Sequence, residues 1–210
     1  MCRLNAYART ITFIIIILTL LVAVALMLYV RFHHPGPPHF RVDSLSLSNL
    51  NLSLSSSSSS SISATWAVDF NVLNPNKKRT MYFDKLNATI YYQGFKQRPF
   101  RYRYHDSLLS VTAVLPFLVP PEGNQTAIGA TFVAVGANLD EKLVEGINMS
   151  QGSRVVFEVK VSARVRLSGG RRWLQPWKDY WTVYCGDLAV EMTSSGGGNL
   201  IGGPRKCLVQ

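Results

Sequence analysis

The feature that most constrains this chain is the run from Ile11 to Val30, which contains no charged side chain and is interrupted only by Thr12 and Thr19. Twenty helical residues at about 1.5 Å each reach roughly 30 Å, the thickness of a bilayer's hydrocarbon core. A cleaved signal peptide is the competing reading. It requires an apolar stretch of about 7–15 residues and a small-x-small exit, whereas this stretch is longer and leaves through Leu28-Tyr29-Val30-Arg31-Phe32. The sequence therefore predicts a retained transmembrane helix over 11–30.

Orientation follows less from charge than from modification motifs. Arg3 and Arg9 flank one end and Arg31 and Arg41 the other, so the positive-inside rule favours a cytosolic N-terminus only slightly. All four N-x-[ST] acceptors, Asn51, Asn87, Asn124 and Asn148, lie after the helix. N-linked glycosylation occurs in the secretory lumen, so they point to a C-terminal domain outside the cell and a cytosolic segment over 1–10. Of the 22 Lys and Arg only Arg3 and Arg9 precede the helix, leaving 20 against 12 Asp and Glu, a formal +8 beyond it. An exported basic domain meets acidic polysaccharide or anionic lipid headgroups through its long-range field, and nucleic acid is not an expected partner.

Three cysteines divide by this topology. Cys2 sits on the cytosolic side near the helix, where S-palmitoylation and an inert thiol are both open. Cys185 and Cys207 share an oxidising compartment and can form one disulfide, although nothing in the sequence shows the geometry. Cys207-Leu208-Val209-Gln210 also matches a prenylation box, which would require the opposite topology.

After the helix, Pro35-Gly36-Pro37-Pro38 predicts a stiff stalk over 31–41. A β domain is expected over 42–193, with a flexible Ser-rich loop at 55–61 and a flexible Gly-rich tail over 194–210. Val42, Leu45, Leu47, Leu50, Leu52 and Leu54 suggest one or two strands with imperfect alternation. Ile62, Ala64, Trp66, Val68, Phe70 and Val72 alternate strictly with polar or small neighbours, a strand with one face in a core, and Asn74-Pro75-Asn76 ends it. Leu86, Ala88, Ile90 and Tyr92 mark another strand, with Asn87 on its exposed face. Further strands are expected at 127–135, 155–167 (Glu158, Lys160, Ser162, Arg164 and Arg166 facing out) and near 178–192. Gly169-Gly170 reads as a hairpin turn and Leu139–Ile147 as one short helix. Six or seven strands of this kind predict an all-β, antiparallel sandwich of immunoglobulin or fibronectin type III shape, with a small barrel as the alternative.

These residues carry a resemblance. The N-terminal apolar helix, Val72-Leu73-Asn74-Pro75-Asn76-Lys77-Lys78, Tyr82-Phe83-Asp84, Tyr91-Tyr92-Gln93-Gly94, Leu115-Pro116-Phe117 before Asn124-Gln125-Thr126, and the late Tyr184-Cys185 together resemble plant group-2 late-embryogenesis-abundant (LEA) proteins. The similarity is to their membrane-anchored, harpin-induced, disease-resistance-like branch and covers most of residues 10–192. It implies an immunoglobulin- or fibronectin-like sandwich, a plant plasma membrane, and a role in defence or stress. It implies no catalytic residue. The serine run and the Arg172–Trp177 stretch depart from it.

No chemistry-bearing pattern stands out. His105 beside Asp106 lacks a nucleophile elbow, and no CxxC, HExxH or phosphate-loop motif occurs. His33, His34 and His39 flank a proline-broken stalk that holds no ligand geometry. No metal, cofactor or catalytic residue is expected. The informative clusters are aromatics interleaved with cations, above all Arg101-Tyr102-Arg103-Tyr104, whose alternation would put both arginines on one face; the competing reading is that the alternating members are core residues and cross-strand pairs. The expectation is a non-enzymatic, membrane-tethered interaction module meeting acidic cell-wall polysaccharide, membrane or a protein partner. The alternatives are a carrier of an apolar ligand between the sheets and a tethered dehydration-protection protein.

Overall fold

The computed structural model describes residues 2–33, 36–53, 60–93, 108–139, 154–168, 178–193 and 195–210. Two compact units, 1–36 and 37–210, are taken separately.

The first unit is helix α1, Cys2–His33. Its stretch Tyr7–Tyr29 has a mean hydropathy of 3.2 and is long and apolar enough to cross a membrane. The helix extends past the expected 11–30 at both ends. Its apolar side chains are exposed, Leu21 by 61% and Met27 by 79%. The two threonine hydroxyls of the charge-free run are satisfied within it, Thr12 Oγ1 donating to the Ala8 carbonyl and Thr19 Oγ1 to that of Ile16. A helix that meets its own polar needs is suited to a solvent that offers no hydrogen bonds.

The second unit is built from strands of period two. In β7 (Arg154–Leu167) every second residue from Val155 to Leu167 is buried. The same alternation forms β2 (Ser60–Leu73) and β3 (Met81–Tyr92). With β1 (His39–Ser53), β4 (Leu108–Val114), β5 (Phe117–Val119), β6 (Gln125–Leu139) and β8 (Lys178–Met192), they join three short C-terminal strands, β9 (Gly198–Leu200), β10 (Arg205–Lys206) and β11 (Leu208–Val209). All pairs are antiparallel in one sheet, ordered β4-β3-β7-β8-β9-β1-β2-β6, with β5 on β3, β10 on β1 and β11 on β8. Its two ends, β4 and β6, lie side by side, and Ser110 Oγ on β4 donates to the Val133 carbonyl on β6 at 2.8 Å. The sheet is thus nearly closed around one apolar core.

The irregular leucine spacing of β1 has a definite cause. Val42 and Leu45, then Leu47 and Leu50, are three apart because the strand carries two bulges, the second with Asn49 at φ 56°. Phe83 to Leu86 and Cys185 to Leu188 repeat the pattern at bulges holding Lys85 (φ 46°) and Asp187 (φ 55°). Each extra residue resets the pleat, so that apolar side chains keep facing inward while the strand bends, as closing a sheet requires.

Three expected boundaries are corrected. The stalk is shorter than 31–41, because His39, Phe40 and Arg41 already belong to β1 and Phe40 is 2% exposed; Pro37 and Pro38 precede the strand, where proline costs no ladder bond. The serine run is not wholly a loop: Ser60 and Ser61 pair with Leu139 and Asn138, and Ser60 is buried. The tail is not a free appendage. From Ser195 onward it is described as turns and strands, and β9 inserts between β8 and β1, two strands that otherwise share no ladder. Glycine is needed there, since a Cβ on Gly198 would meet Val190 Cγ1 at 2.6 Å and the Glu191 carbonyl oxygen at 2.7 Å. Composition alone suggested flexibility; close strand packing demands the same residue. Leu139 closes β6, while the rest of the expected short helix and the Gly169-Gly170 turn lie outside the described residues.

Candidate functional site

Alternation along β3, β7 and β8 that buries one face presents the other to solvent, and the registers place its side chains in rows. Tyr82 stands opposite Arg166, and Asp84 opposite Arg164 and then Tyr180. Asn87 stands opposite Ser162 and Thr182, Thr89 opposite Lys160 and Tyr184, and Tyr91 opposite Glu158. Cross-strand neighbours of this kind lie within side-chain reach.

The face is organised around one carboxylate. Arg166 donates from Nε and Nη2 to the two Asp84 oxygens at 2.5 and 3.1 Å, and Arg164 Nη2 lies 3.6 Å from the same group. The Arg166 guanidinium holds the Asp84 carboxyl below its ordinary range, and Asp84 raises Arg166 in return. The pair is solvent-exposed, so its worth is geometric: it holds the guanidinium near the Tyr82 ring, 5.9 Å from its centroid. Lys160 Nζ sits 5.5 Å from the Tyr184 ring centroid. Tyr180 is 78% exposed. Tyrosine rings stack on the apolar faces of sugars, hydroxyls and amides bond to their OH groups, and Arg or Lys pairs with carboxylates.

The other expected site residues fall elsewhere. Arg101, Tyr102, Arg103 and Tyr104, like His105 and Asn148, lie outside the described residues. Asn51, on β1, and Asn124 are exposed, and Asn124 Nδ2 donates to the Pro121 carbonyl at 2.6 Å. Asn87 is exposed as expected, in the middle of β3 between Ser162 and Ala113, which sets it within the face just described. Cys185 and Cys207 are joined at 2.04 Å. A Cys207 sulfur held in that bond is no prenyl acceptor, and Leu208 and Val209 are paired with Tyr184 and Val183. Cys2 is the first residue of α1. Among the described residues no group of three or more His, Cys, Asp or Glu is placed to hold a metal ion.

Asn74-Pro75-Asn76, the most specific motif of the sequence, is a joint. Asn74 is 0% exposed. Its Nδ2 reaches the carbonyls of Arg79 (2.8 Å), Val119 and Pro120 (3.1 Å each), and its Oδ1 accepts the Asn76 backbone N–H and Nδ2, both at 2.9 Å. One side chain thereby ties the end of β2 to the lead-in of β3 and the exit of β5. The aromatic–basic face was half-legible, since the outward residues of β7 stood out in the sequence. Their neighbours across β3 and β8 needed the register, because a strand's pairing is invisible in one chain segment.

No family model and no curated protein matches the sequence. A solved structure titled as a protein from Archaeoglobus fulgidus shares 10% identity over 67% of this chain and 93% of that one, with a TM-score of 0.29. A likeness that slight carries no argument.

Proposed function

We propose that this chain is a non-enzymatic, single-pass plasma-membrane protein whose β domain faces the outside of the cell and binds acidic cell-wall polysaccharide through the outer face of β3, β7 and β8. The observation that carries the reading is the set of rows in which Tyr82, Tyr180 and Tyr184 alternate with Arg166, Arg164 and Lys160. α1 is taken as the retained anchor. The Cys185–Cys207 bond supports the orientation, because such bonds persist in exported domains and are rare in the cytosol.

The resemblance to membrane-anchored group-2 LEA proteins supplies the biological setting, plant defence or stress response. The finer fold proposal is an immunoglobulin- or fibronectin-like sandwich, in which the curled sheet is flattened into two layers. Two edge-to-face contacts between strands that are not ladder neighbours favour it: Phe40 of β1 on Phe83 of β3 at 5.8 Å, and Trp66 of β2 on Phe157 of β7 at 6.0 Å. Among the described acceptors Asn51 is the one best placed for a glycan, whereas a glycan on Asn87 would cover the binding face.

The test is binding of the full-length protein in detergent micelles to polygalacturonate over a salt titration. The expected result is salt-sensitive binding that weakens at least about tenfold, the equivalent of about 1.4 kcal/mol, when Lys160 and Arg166 are both replaced by Ala. Wild-type binding that ignores both salt and the double substitution would refute the assignment of the face.

A further inference from the structure

The 32 residues from Leu108 to Leu139 carry a single charge, Glu122, in a chain of net charge +10. They include β4, β5 and β6, and the two strands that meet at the ends of the sheet, β4 and β6, carry no charge. Its outer surface is apolar and open. Val135 and Leu115 are each 84% exposed, Val111 57% and Val133 56%, and Ala113 and Thr131 beside them are exposed as well. The registers put these residues on the outer side of the sheet: Val111 and Ala113 stand opposite the outward Thr89 and Asn87, and Thr131 and Val133 opposite the outward Ala67 and Thr65.

Edge strands in soluble domains are commonly protected by Lys, by Pro or by an inward-pointing charge. Neither β4 nor β6 contains any of these. The Ser110–Val133 bond holds the two strands side by side and leaves no slot for a third strand between them. A partner therefore docks on the face and does not insert into the seam.

We infer that this face joins two copies of the chain. The choice of a second copy over another partner rests on charge. Beyond the helix the chain carries 20 Lys and Arg against 12 Asp and Glu, so copies that meet through their basic surfaces repel. Described outer positions elsewhere carry charge, as with Arg41, Asp43 and Asp69 around β1 and β2 or Arg164 and Arg166 on β7. Among the described outer positions of the β domain, those of β4 and β6 let two copies bury exposed apolar area with no like charges opposed. Such a patch is complementary to itself and closes as a two-fold dimer. The patch adjoins the outer row of β3 at Asn87 and Thr89, but the residues assigned to the dimer (Val111, Leu115, Val133 and Val135) are not those assigned to polysaccharide, so the two readings are tested separately.

The experiment uses the purified full-length chain in detergent micelles with Cys2→Ser throughout, so that each added cysteine is the reactive thiol. Val135→Cys and Val111→Cys treated with a short bis-maleimide are expected to give a covalent dimer. Ser162→Cys, in the middle of the β7 outer face, is expected to give none. Sedimentation is expected to show a dimer for the parent chain and at least about tenfold weaker association for Val135→Lys, since two lysines would then be opposed across the axis. Leu115→Lys, at a second exposed position outside any strand, is an independent check in case Val135→Lys disturbs β6. A monomeric parent chain would overturn the inference and leave the face to a different protein or to lipid. Equal cross-linking from Ser162→Cys, or association indifferent to both lysine variants, would overturn it too.

Discussion

Asn74 offers the sharpest test of how the fold is held. Its amide nitrogen carries two hydrogens and serves three carbonyls, while its oxygen serves two donors of Asn76. Replacement by Ala removes all of these at a position with 0% exposure. Each buried group left unsatisfied costs about 1–3 kcal/mol. The bond to Val119 is fully buried and those to Arg79 and Pro120 only partly so, so water can recover some of the loss. The sum is about 3–4 kcal/mol, at the severe end for a point substitution. In a domain of this size each kcal/mol moves the midpoint about 2–4 °C, so the melting temperature of the full-length protein should fall by roughly 6–16 °C. Asn74→Asp is the discriminating variant. Aspartate favours turns much as asparagine does, so a mere turn-former would tolerate it within about 0.5 kcal/mol. The network predicts the opposite: a carboxylate facing three carbonyl oxygens should be at least as damaging as Ala at neutral pH. Part of the loss should return as acid protonates the group and restores one donor. Tryptophan fluorescence during thermal unfolding, at pH 7 and pH 4, measures both. An Asp variant as stable as the parent would refute the joint.

Other consequences are quickly stated. Replacing Cys185 and Cys207 by Ser, or reducing their bond, should cost about 3 kcal/mol, as expected for a closed loop of roughly this length (sequence separation 22). Limited proteolysis should then cut within 195–210 before it cuts β7. The lowered Asp84 carboxyl makes its pairing with Arg166 present above the ordinary carboxylate range and lost as pH falls through the folded value; carboxyl chemical shifts should show that direction, and Arg166→Ala should shrink it, with Arg164 still beside the group. Mass spectrometry of glycopeptides from the native membrane protein should find Asn51 occupied and Asn87 bare, and full occupancy of Asn87 would contradict the proposed binding face.

Much of the architecture was readable because period-two patterning survives wherever a strand has one wet face. Ile62 to Val72 and Val155 to Leu167 gave their strands directly, and Asn87 its exposure. What could not be read has two physical causes. Bulges at Asn49, Lys85 and Asp187 break the period without ending the strand, so β1 looked like fragments. The last sixteen residues look flexible by composition, yet they pair with β1 and β8 and are pinned through Cys207, contacts that exist only once distant strands are in place. The candidate face has the same origin. Arg164 and Arg166 are ordinary outward residues until register brings Asp84, Tyr82 and Tyr180 beside them. Asn74 was noticed for its sequence context and is explained by burial.

The proposed function requires the β domain to lie outside the cell. The most direct measurement is protease protection on sealed microsomes with glycosidase treatment of the protected fragment. Residues 37–210 should survive protease until detergent is added, and their mobility should increase on deglycosylation. Digestion of the domain from the cytosolic side, with no glycosidase shift, would contradict it.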